Sequence, residues 1–314
     1  MRARLLRDWR NAAQEWPLRR LLDELPALLG EAHSPARLAE VLEGASLEEL
    51  RAAHRRLVEE GAWRVYAVGN LDRPALASLV ARLPGVAAAA GRRAPAPLRV
   101  ADLAPGAACV QSLAVDHQDA AAVLYLQGRD DGLGERARMA LLEVMTSAPF
   151  YTRLRTEQQL GYAVGVSPLP LGRVPGLAYY VQSPRFDEQA IRDRVEAFFA
   201  AFGKEVAALT EEDLERYRRA VLARVEEAPR NLDELAARHL ESLDLGYWGF
   251  DFRARLAAAV RAVGVRDLKA AWRQWTGAER QALWLVTDRT AQAAAQPLAS
   301  SCREGWFALP LAIE

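Results

Sequence analysis

Histidine is scarce in this chain of 314 residues, and no two histidines have a metal-binding spacing. The four are His33, His54, His117 and His239, and none lies four residues from another. A helical zinc site of the type His-Glu-x-x-His, or of its inverted form His-x-x-Glu-His, is therefore excluded. The sequence also has no Gly-x-Ser-x-Gly turn of a serine hydrolase and no P-loop. We expect no metal ligands and no bound cofactor in this chain.

Cysteine and long apolar runs are equally scarce. Cys109 and Cys302 are the two cysteines, far apart in sequence. A disulfide is compatible with them, but two reduced thiols are the prediction. No run of roughly 18 apolar residues suggests a transmembrane helix, and residues 1–16 have no apolar signal core. A soluble protein is expected, with the compartment open between bacterial cytoplasm and periplasm.

Lysine is nearly absent, since Lys204 and Lys269 are the two lysines and arginine supplies the rest of the basic side chains. The 41 basic residues are balanced by 41 acidic ones, so the formal net charge is zero. This balance favours neither nucleic acid nor an anionic membrane as a partner. With 51% hydrophobic and 26% charged residues, the composition is typical of a globular protein with a core.

Apolar periodicity predicts helices in the first third of the chain, then a group of strands, then mostly helices. Strands are predicted at 63–68, 98–103, 109–115, 120–127, 162–166, 177–182 and 281–287, the last of these being the final strand. This order predicts an α+β layer architecture. Residues 84–97, rich in Ala, Gly, Pro and Arg, predict a linker. Six tryptophans on apolar faces, Trp16 among them, are predicted to lie in the core.

The stretch 149–164 carries the most informative functional pattern. Arg155 lies on a predicted short helix, and Tyr162 begins a strand after a turn at Gly161. An arginine and a tyrosine held beside a tight turn can donate hydrogen bonds to a carbonyl or to a developing oxyanion. The residues alone equally fit a surface arginine and a half-buried tyrosine.

Residues 154–162 resemble the Leu-Arg-Thr-x-x-Gln-Leu-Gly-Tyr signature of the insulinase/pitrilysin family of zinc metallopeptidases, the family that includes insulin-degrading enzyme. The signature lies in the C-terminal half of these enzymes. The resemblance covers nearly the whole chain, and its other parts are 5–11, 69–70, 116–117, 176–183 and 194–198.

The resemblance implies the domain organisation. It predicts a two-layer sheet-plus-helices domain of the insulinase type at 98–314, the fourth of the family. This domain is preceded, at 1–90, by the C-terminal part of a third such domain. About 150 residues of that third domain are expected before Met1. Met1 is then expected to mark a split gene or a truncated reading frame.

The resemblance also implies a function. This chain would be the zinc-free half of a metalloendopeptidase, inactive alone, with zinc held by an N-terminal partner half in cis or in trans. Tyr162 would hydrogen-bond the scissile carbonyl of a peptide substrate as zinc-activated water attacks it. Arg155 would bind the substrate backbone or the same oxyanion. His117, in a turn at a strand end, is a third substrate-binding candidate or else a solvated turn residue.

Alternatives remain beside this interpretation. The chain could be a catalytically inactive relative that acts as a scaffold or interaction subunit, although an intact Arg155 and Tyr162 pair argues against that function. An independent hydrolase built on His117 with Asp116 or Asp119 lacks any nucleophile motif. Within the family, a pitrilysin and the peptidase of pyrroloquinoline quinone biosynthesis both fit.

Overall fold

The computed structural model describes residues 1–12, 14–30, 32–61, 65–82, 98–288 and 297–309. The predicted linker at 84–97 lies outside these residues. The helices are α1 Arg2–Ala12, α2 Pro17–Leu29, α3 Pro35–Gly44, α4 Leu47–Glu60, α5 Arg73–Ala81, α6 Leu133–Phe150, α7 Glu188–Ala207, α8 Glu211–Val225, α9 Leu232–Asp244, α10 Phe252–Ala262 and α11 Val265–Thr276. The strands are β1 Leu98–Leu103, β2 Cys109–Ala114, β3 Ala120–Gln127, β4 Ala163–Pro168, β5 Gly176–Ser183, β6 Ala282–Asp288 and β7 Arg303–Leu309.

Five strands form one sheet in the order β2-β6-β3-β5-β4. β2 runs parallel to β6, and the other neighbours are antiparallel. β5 therefore has an antiparallel neighbour on each side. Its final residue Ser183 pairs with Ala120 of β3, and Gln182 pairs with Ala163 of β4. The first residues of β3 and β4 thus lie on either side of the end of β5. This arrangement builds the candidate site.

The central strands are buried on both faces because each face has its own layer. In β3, Ala122, Leu124 and Leu126 belong to the core under the helices. The alternate residues Val123 and Tyr125 belong to a second core on the opposite face. Strand residues alternate between faces, so one apolar strand serves both cores. The α+β fold class predicted from the sequence is confirmed, with helices layered on a sheet.

Helix α2 covers the second face of the sheet. Leu21, Leu25 and Leu29 recur every four residues and are fully buried against β3, β5 and β6. Pro17 occupies the first turn, where its missing N–H costs nothing. A helix from the first 90 residues therefore packs directly on the sheet formed by residues after 98.

Helix α4 contrasts with α2. It begins with a capping box in which Ser46 and Glu49 satisfy each other's backbone N–H groups. No residue of α4 is buried, and Leu47, Leu50 and Leu57 are each more than 60% exposed. An amphipathic helix of this kind presents an uncovered apolar stripe.

The prediction of two reduced thiols is wrong, because Cys109 and Cys302 form a disulfide with their Cα atoms 5.7 Å apart. A final strand that the sequence did not indicate brings them together. β7 pairs with β1 in a two-stranded ribbon, and the Cys302 carbonyl, in the turn before β7, accepts a hydrogen bond from the Ala104 N–H at 3.0 Å. Strand 281–287 was predicted to be the last, but β7 follows it.

Three other local predictions are also wrong. Residues 65–68, the described part of the strand predicted at 63–68, have no strand pairing. The predicted short helix at 150–160 is instead a π-helix, Tyr151–Glu157, which continues α6 without a break. Trp16 was assigned to the core and is 60% exposed.

Candidate functional site

The candidate site lies where β3 and β4 begin beside the end of β5. Asp119 precedes β3, Tyr162 precedes β4, and Gln182 of β5 lies between them. The Tyr162 hydroxyl donates to Asp119 Oδ2 at 2.7 Å. Gln182 Nε2 donates to the same carboxylate oxygen at 3.0 Å and also contacts the Tyr162 hydroxyl. The two buried side chains thus fix the position of the tyrosine oxygen.

Gly161 explains how Tyr162 comes so close to β5. A Cβ atom at residue 161 would lie 2.0 Å from the backbone carbonyl oxygen of Gln182. The chain enters this contact through Gln159, whose φ of 48° is left-handed. The Leu160 N–H then donates to the Leu154 carbonyl at 2.8 Å and closes the end of the π-helix. Only glycine permits this approach of two backbones.

Helix α2 supports the site from the second face of the sheet. Gln182 Oε1 accepts a hydrogen bond from the Leu18 N–H at 3.0 Å. That N–H belongs to the first turn of α2, where backbone donors have no partner within the helix. The buried Gln182 amide therefore joins the helix start, Asp119 and Tyr162 in one network.

Burial and charge set the protonation of the two acidic groups. Burial raises the pKa of the Asp119 carboxyl, but hydrogen bonds from Tyr162 and Gln182, with the nearby His117, outweigh it and lower the pKa below its ordinary value. Partial burial, together with the hydrogen bond and charge of Asp119, raises the pKa of the Tyr162 hydroxyl above its ordinary value. At neutral pH the pair is therefore a carboxylate and a protonated tyrosine donor.

An aromatic surface surrounds the tyrosine. The rings of Trp16 and Tyr162 have centroids 6.3 Å apart in an edge arrangement. The His117 ring lies 5.5 Å from Trp16, and His117 Nδ1 accepts a hydrogen bond from the Asp119 N–H at 2.9 Å. Neutral His117 therefore carries its proton on Nε2. Tyr162 is 46% exposed, so about half of its surface is open to a ligand.

Arg155 lies on the π-helix, apart from this network. Its Nε is buried with no hydrogen-bond partner, and its guanidinium makes no ion pair with any described residue. Its neighbour Arg153 pairs instead with Glu205 and lies 5.5 Å from the Phe202 ring centroid. The structure thus brings Tyr162 and His117 together, while Arg155 makes no described contact with either. An arginine with free donors remains available to a ligand.

The site does not have the ligands of a metal ion. In the described ranges, no group of three or more His, Cys, Asp and Glu side chains could hold one. His117 and Asp119 are adjacent, with Nδ1 and Oδ1 3.9 Å apart, but their further neighbours are an amide, a phenol and an indole. These residues do not fit a zinc site. The described helices also contain none with the length and apolar character of a membrane span.

Sequence reasoning missed Trp16 and Gln182 as parts of this site, and it weighed Asp119 only for an independent hydrolase. Leu18 and Gln182 are 164 residues apart in sequence, so no local pattern connects them. The detectable signal was the buried polar pair Gln182 and Ser183 at the end of an otherwise apolar strand.

Comparison with known proteins begins with a family model. Residues 141–240 match the model described as PQQ synthase PqqF-like, C-terminal lobe domain 4. This segment contains both Arg155 and Tyr162.

Sequence relatives agree with this match. Protease 3 of Salmonella typhi is 31% identical over 148 residues, which are 47% of this chain and 15% of that protein. Human insulin-degrading enzyme is 27% identical over 135 residues, which are 43% of this chain and 13% of the enzyme. The matched region is thus a small part of each relative.

Solved structures show the same fold over nearly the whole chain. Pitrilysin aligns with a TM-score of 0.79 at 20% identity, covering 96% of this chain and 32% of that one. The peptidase M16 inactive domain from Pseudomonas fluorescens aligns with a TM-score of 0.62 at 17% identity, covering 94% and 71%. Together, the family model over residues 141–240, the sequence relatives and the shared fold support the identification of this chain as similar to part of the C-terminal half of insulinase/pitrilysin-family proteins.

Proposed function

We propose that this chain supplies substrate-binding and oxyanion-stabilising groups to a zinc metalloendopeptidase whose zinc is bound by an N-terminal half, in cis or in trans. The observation that carries the proposal is the half-exposed Tyr162, whose hydroxyl is held in place by buried Asp119 and Gln182. When bound in the partner half, zinc supplies the activated water. In this assignment Arg155 and Tyr162 are the supporting catalytic and substrate-binding residues, and His117 is a further substrate-binding residue.

The contact with Asp119 gives Tyr162 a selective preference for the transition state. The hydroxyl has one proton, which in this structure goes to the Asp119 carboxylate. A neutral peptide carbonyl is a weaker acceptor than a carboxylate, so it competes poorly for that proton. An oxyanion is charged and competes well. The hydrogen bond to substrate is therefore made mainly as negative charge develops, which is the condition for raising kcat.

Gln182 makes this exchange feasible. When the tyrosine proton turns to the substrate, Asp119 keeps the hydrogen bond from Gln182 Nε2. A buried carboxylate left with no donor would be costly. Gln182 is in turn anchored to the first turn of α2 through Leu18. Both residues are thus positioning residues for Tyr162.

Arg155 serves substrate binding in this proposal. A planar guanidinium with several unused donors can bind two backbone carbonyl groups of an extended peptide. His117 presents Nε2–H beside Trp16 and adds a further donor to the same surface. The peptide substrate and the zinc-bearing half are the partners, with no part for nucleic acid or membrane.

The domain division remains part of the proposal. We infer that 98–314 is the fourth family domain and that 1–90 belongs to the third. The uncovered leucines of α4 support this division, since the rest of a third domain would cover them. Helix α2 then serves as the connection that packs on the fourth domain's sheet.

The alternative function is a scaffold or interaction subunit without catalysis. One structural neighbour is described as an inactive domain, and this description favours the scaffold as the second hypothesis. A scaffold needs assembly but not donors, so the two functions differ in what Arg155 and Tyr162 contribute once the halves have assembled.

Mixing the halves tests the proposal. The chain is combined with a zinc-bearing polypeptide that has the His-x-x-Glu-His motif, and cleavage of a fluorogenic peptide is measured. We expect cleavage from the assembled pair but not from this chain alone. Arg155→Lys should raise KM by losing the planar fork, whereas Arg153→Lys on the same π-helix should not, because Arg153 is paired with Glu205. Assembly without any cleavage would favour the scaffold.

A further inference from the structure

A cavity of about 330 Å³ lies at the end of the sheet opposite to Tyr162. It is bordered by the turn between β4 and β5 and by helices α6, α8 and α10. The β4–β5 pair places Ala163 opposite Gln182 at the tyrosine end and Pro168 opposite Leu177 at the cavity end. Its volume is at the lower end of the range of small-molecule sites. This is a separate site from the one assigned to peptide binding.

Most of the cavity wall is apolar. Met139 of α6, Pro168 of β4, Leu177 of β5, and Phe252 and Leu256 of α10 line it. Proline and aromatic surfaces are rigid, so the wall changes little when a ligand enters. Such a wall suits an aliphatic body rather than a polar one.

The polar part of the wall is cationic. Arg136, Arg224 and Arg253 line the cavity together with one acidic residue, Glu241. Arg253 pairs with Glu241 at 3.2 Å, and Arg224 pairs with Glu143 at 2.7 Å. Two of the three arginines are therefore already neutralised.

Arg136 is the exception. Its Nη2 donates to the Arg173 carbonyl at 2.8 Å, and its Cζ lies 5.5 Å from the Phe252 ring centroid. It makes no ion pair with any residue that the structure describes. Burial lowers the pKa of its guanidinium, and the attraction of Glu241, Tyr247 and Asp131 only partly offsets this. Since arginine stays charged in proteins, a partly buried positive charge lines the cavity with no described carboxylate in ion-pair contact, although Glu241 and Asp131 lie near enough to attract it.

We propose that this cavity binds a small aliphatic monocarboxylate, with its carboxylate on Arg136 and its chain against Phe252 and Leu256. A carboxylate matches the free edge of a guanidinium in two parallel hydrogen bonds. One unpaired arginine balances one negative charge, and Glu241 opposes a dianion such as phosphate. The cavity lies on the helical side of the sheet and shares no lining residue with the Tyr162 site. This inference therefore does not depend on the proposed peptidase function.

Direct binding measurements test the proposal with decanoate as the probe. Isothermal titration of the 314-residue chain should show one decanoate bound per chain. Decanol has the same chain without the charge, and it should bind on the order of 10–100-fold more weakly, because a charged hydrogen-bonded contact is lost. Decyltrimethylammonium should not bind. Equal affinity for decanoate and decanol would overturn the assignment to Arg136.

Variants locate the anion. Arg136→Gln should weaken decanoate binding by a similar factor and leave decanol binding unchanged. Arg216→Gln is the matched control, because Arg216 is an exposed arginine of α8 that pairs with Asp213. It should leave both affinities as in the wild type. A loss of decanoate binding that is equal in the two variants would refute a specific role for Arg136.

Arg136 also donates a hydrogen bond to the Arg173 carbonyl, so Arg136→Gln can disturb the turn between β4 and β5. A measurement on the wild type does not depend on that variant. Hydrogen exchange with decanoate should slow in residues 168–177 and 252–256 and remain unchanged in residues 117–119. Slower exchange in other residues instead would overturn the proposal. So would binding of a leucine-ended peptide, through its terminal carboxylate, under conditions where decanoate does not bind.

Discussion

Gly161→Ala is the substitution whose effect the structure defines most sharply. The new Cβ would lie 2.0 Å from the Gln182 carbonyl oxygen and 2.9 Å from its carbonyl carbon. Real Cβ atoms essentially never approach within 3.0 Å, so the backbones must separate by about 1.0 Å, the difference between 3.0 and 2.0. Both contacts are backbone atoms and no side chain can rotate away. The cost therefore falls at the upper end of overpacking, about 3 kcal/mol.

Thermal and urea unfolding measure this cost. At roughly 2–4 °C per kcal/mol, a loss of about 3 kcal/mol lowers the thermal midpoint by roughly 6–12 °C. Gly134→Ala is the matched control, because its Cβ would meet nothing closer than Arg138 Nη1 at 3.6 Å within helix α6. It should be neutral or stabilising by up to about 1 kcal/mol. If Gly161→Ala unfolds at the same temperature as Gly134→Ala, the backbones of Gly161 and Gln182 are not in the close contact that positions Tyr162.

Three further predictions address other parts of the account. Leu25→Ala, in the fully buried row of α2, should cost about 2–5 kcal/mol, and a sheet whose unfolding midpoint is unaffected would show that α2 does not pack on it. Cys302→Ser removes a disulfide between residues 193 apart and should lower stability by about 2–5 kcal/mol under oxidising conditions; equal stability of the variant and the oxidised wild type would contradict the pairing. The folded-state pKa of Asp119 is lowered, so its contribution is present above the unfolded pKa of about 4 and is lost as the pH falls through the folded value. The wild type should therefore exceed Asp119→Asn in stability at pH 7, and the difference should close in acid; a constant difference from pH 7 to pH 2 would contradict the ionised Asp119.

The sequence was informative where the signal was local. Arg155, Gly161 and Tyr162 lie within eight residues, and the helix-to-strand change around Gly161 was predictable from the turn alone. Continuous apolar runs identified β3 and β5 because both strands are long and buried. The same local rules placed the helices, since each carries a regular apolar face.

Long-range pairing explains most of what the sequence could not show. Gln182 is an ordinary polar residue until β5 places it between Asp119 and Tyr162. Trp16 has an apolar neighbourhood in sequence, but its position before the first turn of α2 leaves it at the rim of the site.

The disulfide was hidden for a related reason. Cys109 and Cys302 meet only because β7 returns to pair with β1, and β7 has weak strand patterning. The π-helix was equally invisible, because a register change within a continuous helix leaves the apolar spacing nearly unchanged.

The central claim is that Tyr162 supplies a hydroxyl that binds substrate more tightly as it becomes an oxyanion, and one kinetic comparison tests it most directly. Tyr162→Phe is assembled with the zinc-bearing half, assembly is verified by size, and peptide cleavage is measured at steady state. We predict that kcat falls on the order of 10²–10³-fold with KM nearly unchanged. Tyr217→Phe, the same change on α8 in the helical layer, should retain wild-type kcat. A Tyr162→Phe enzyme with wild-type kcat would contradict the claim.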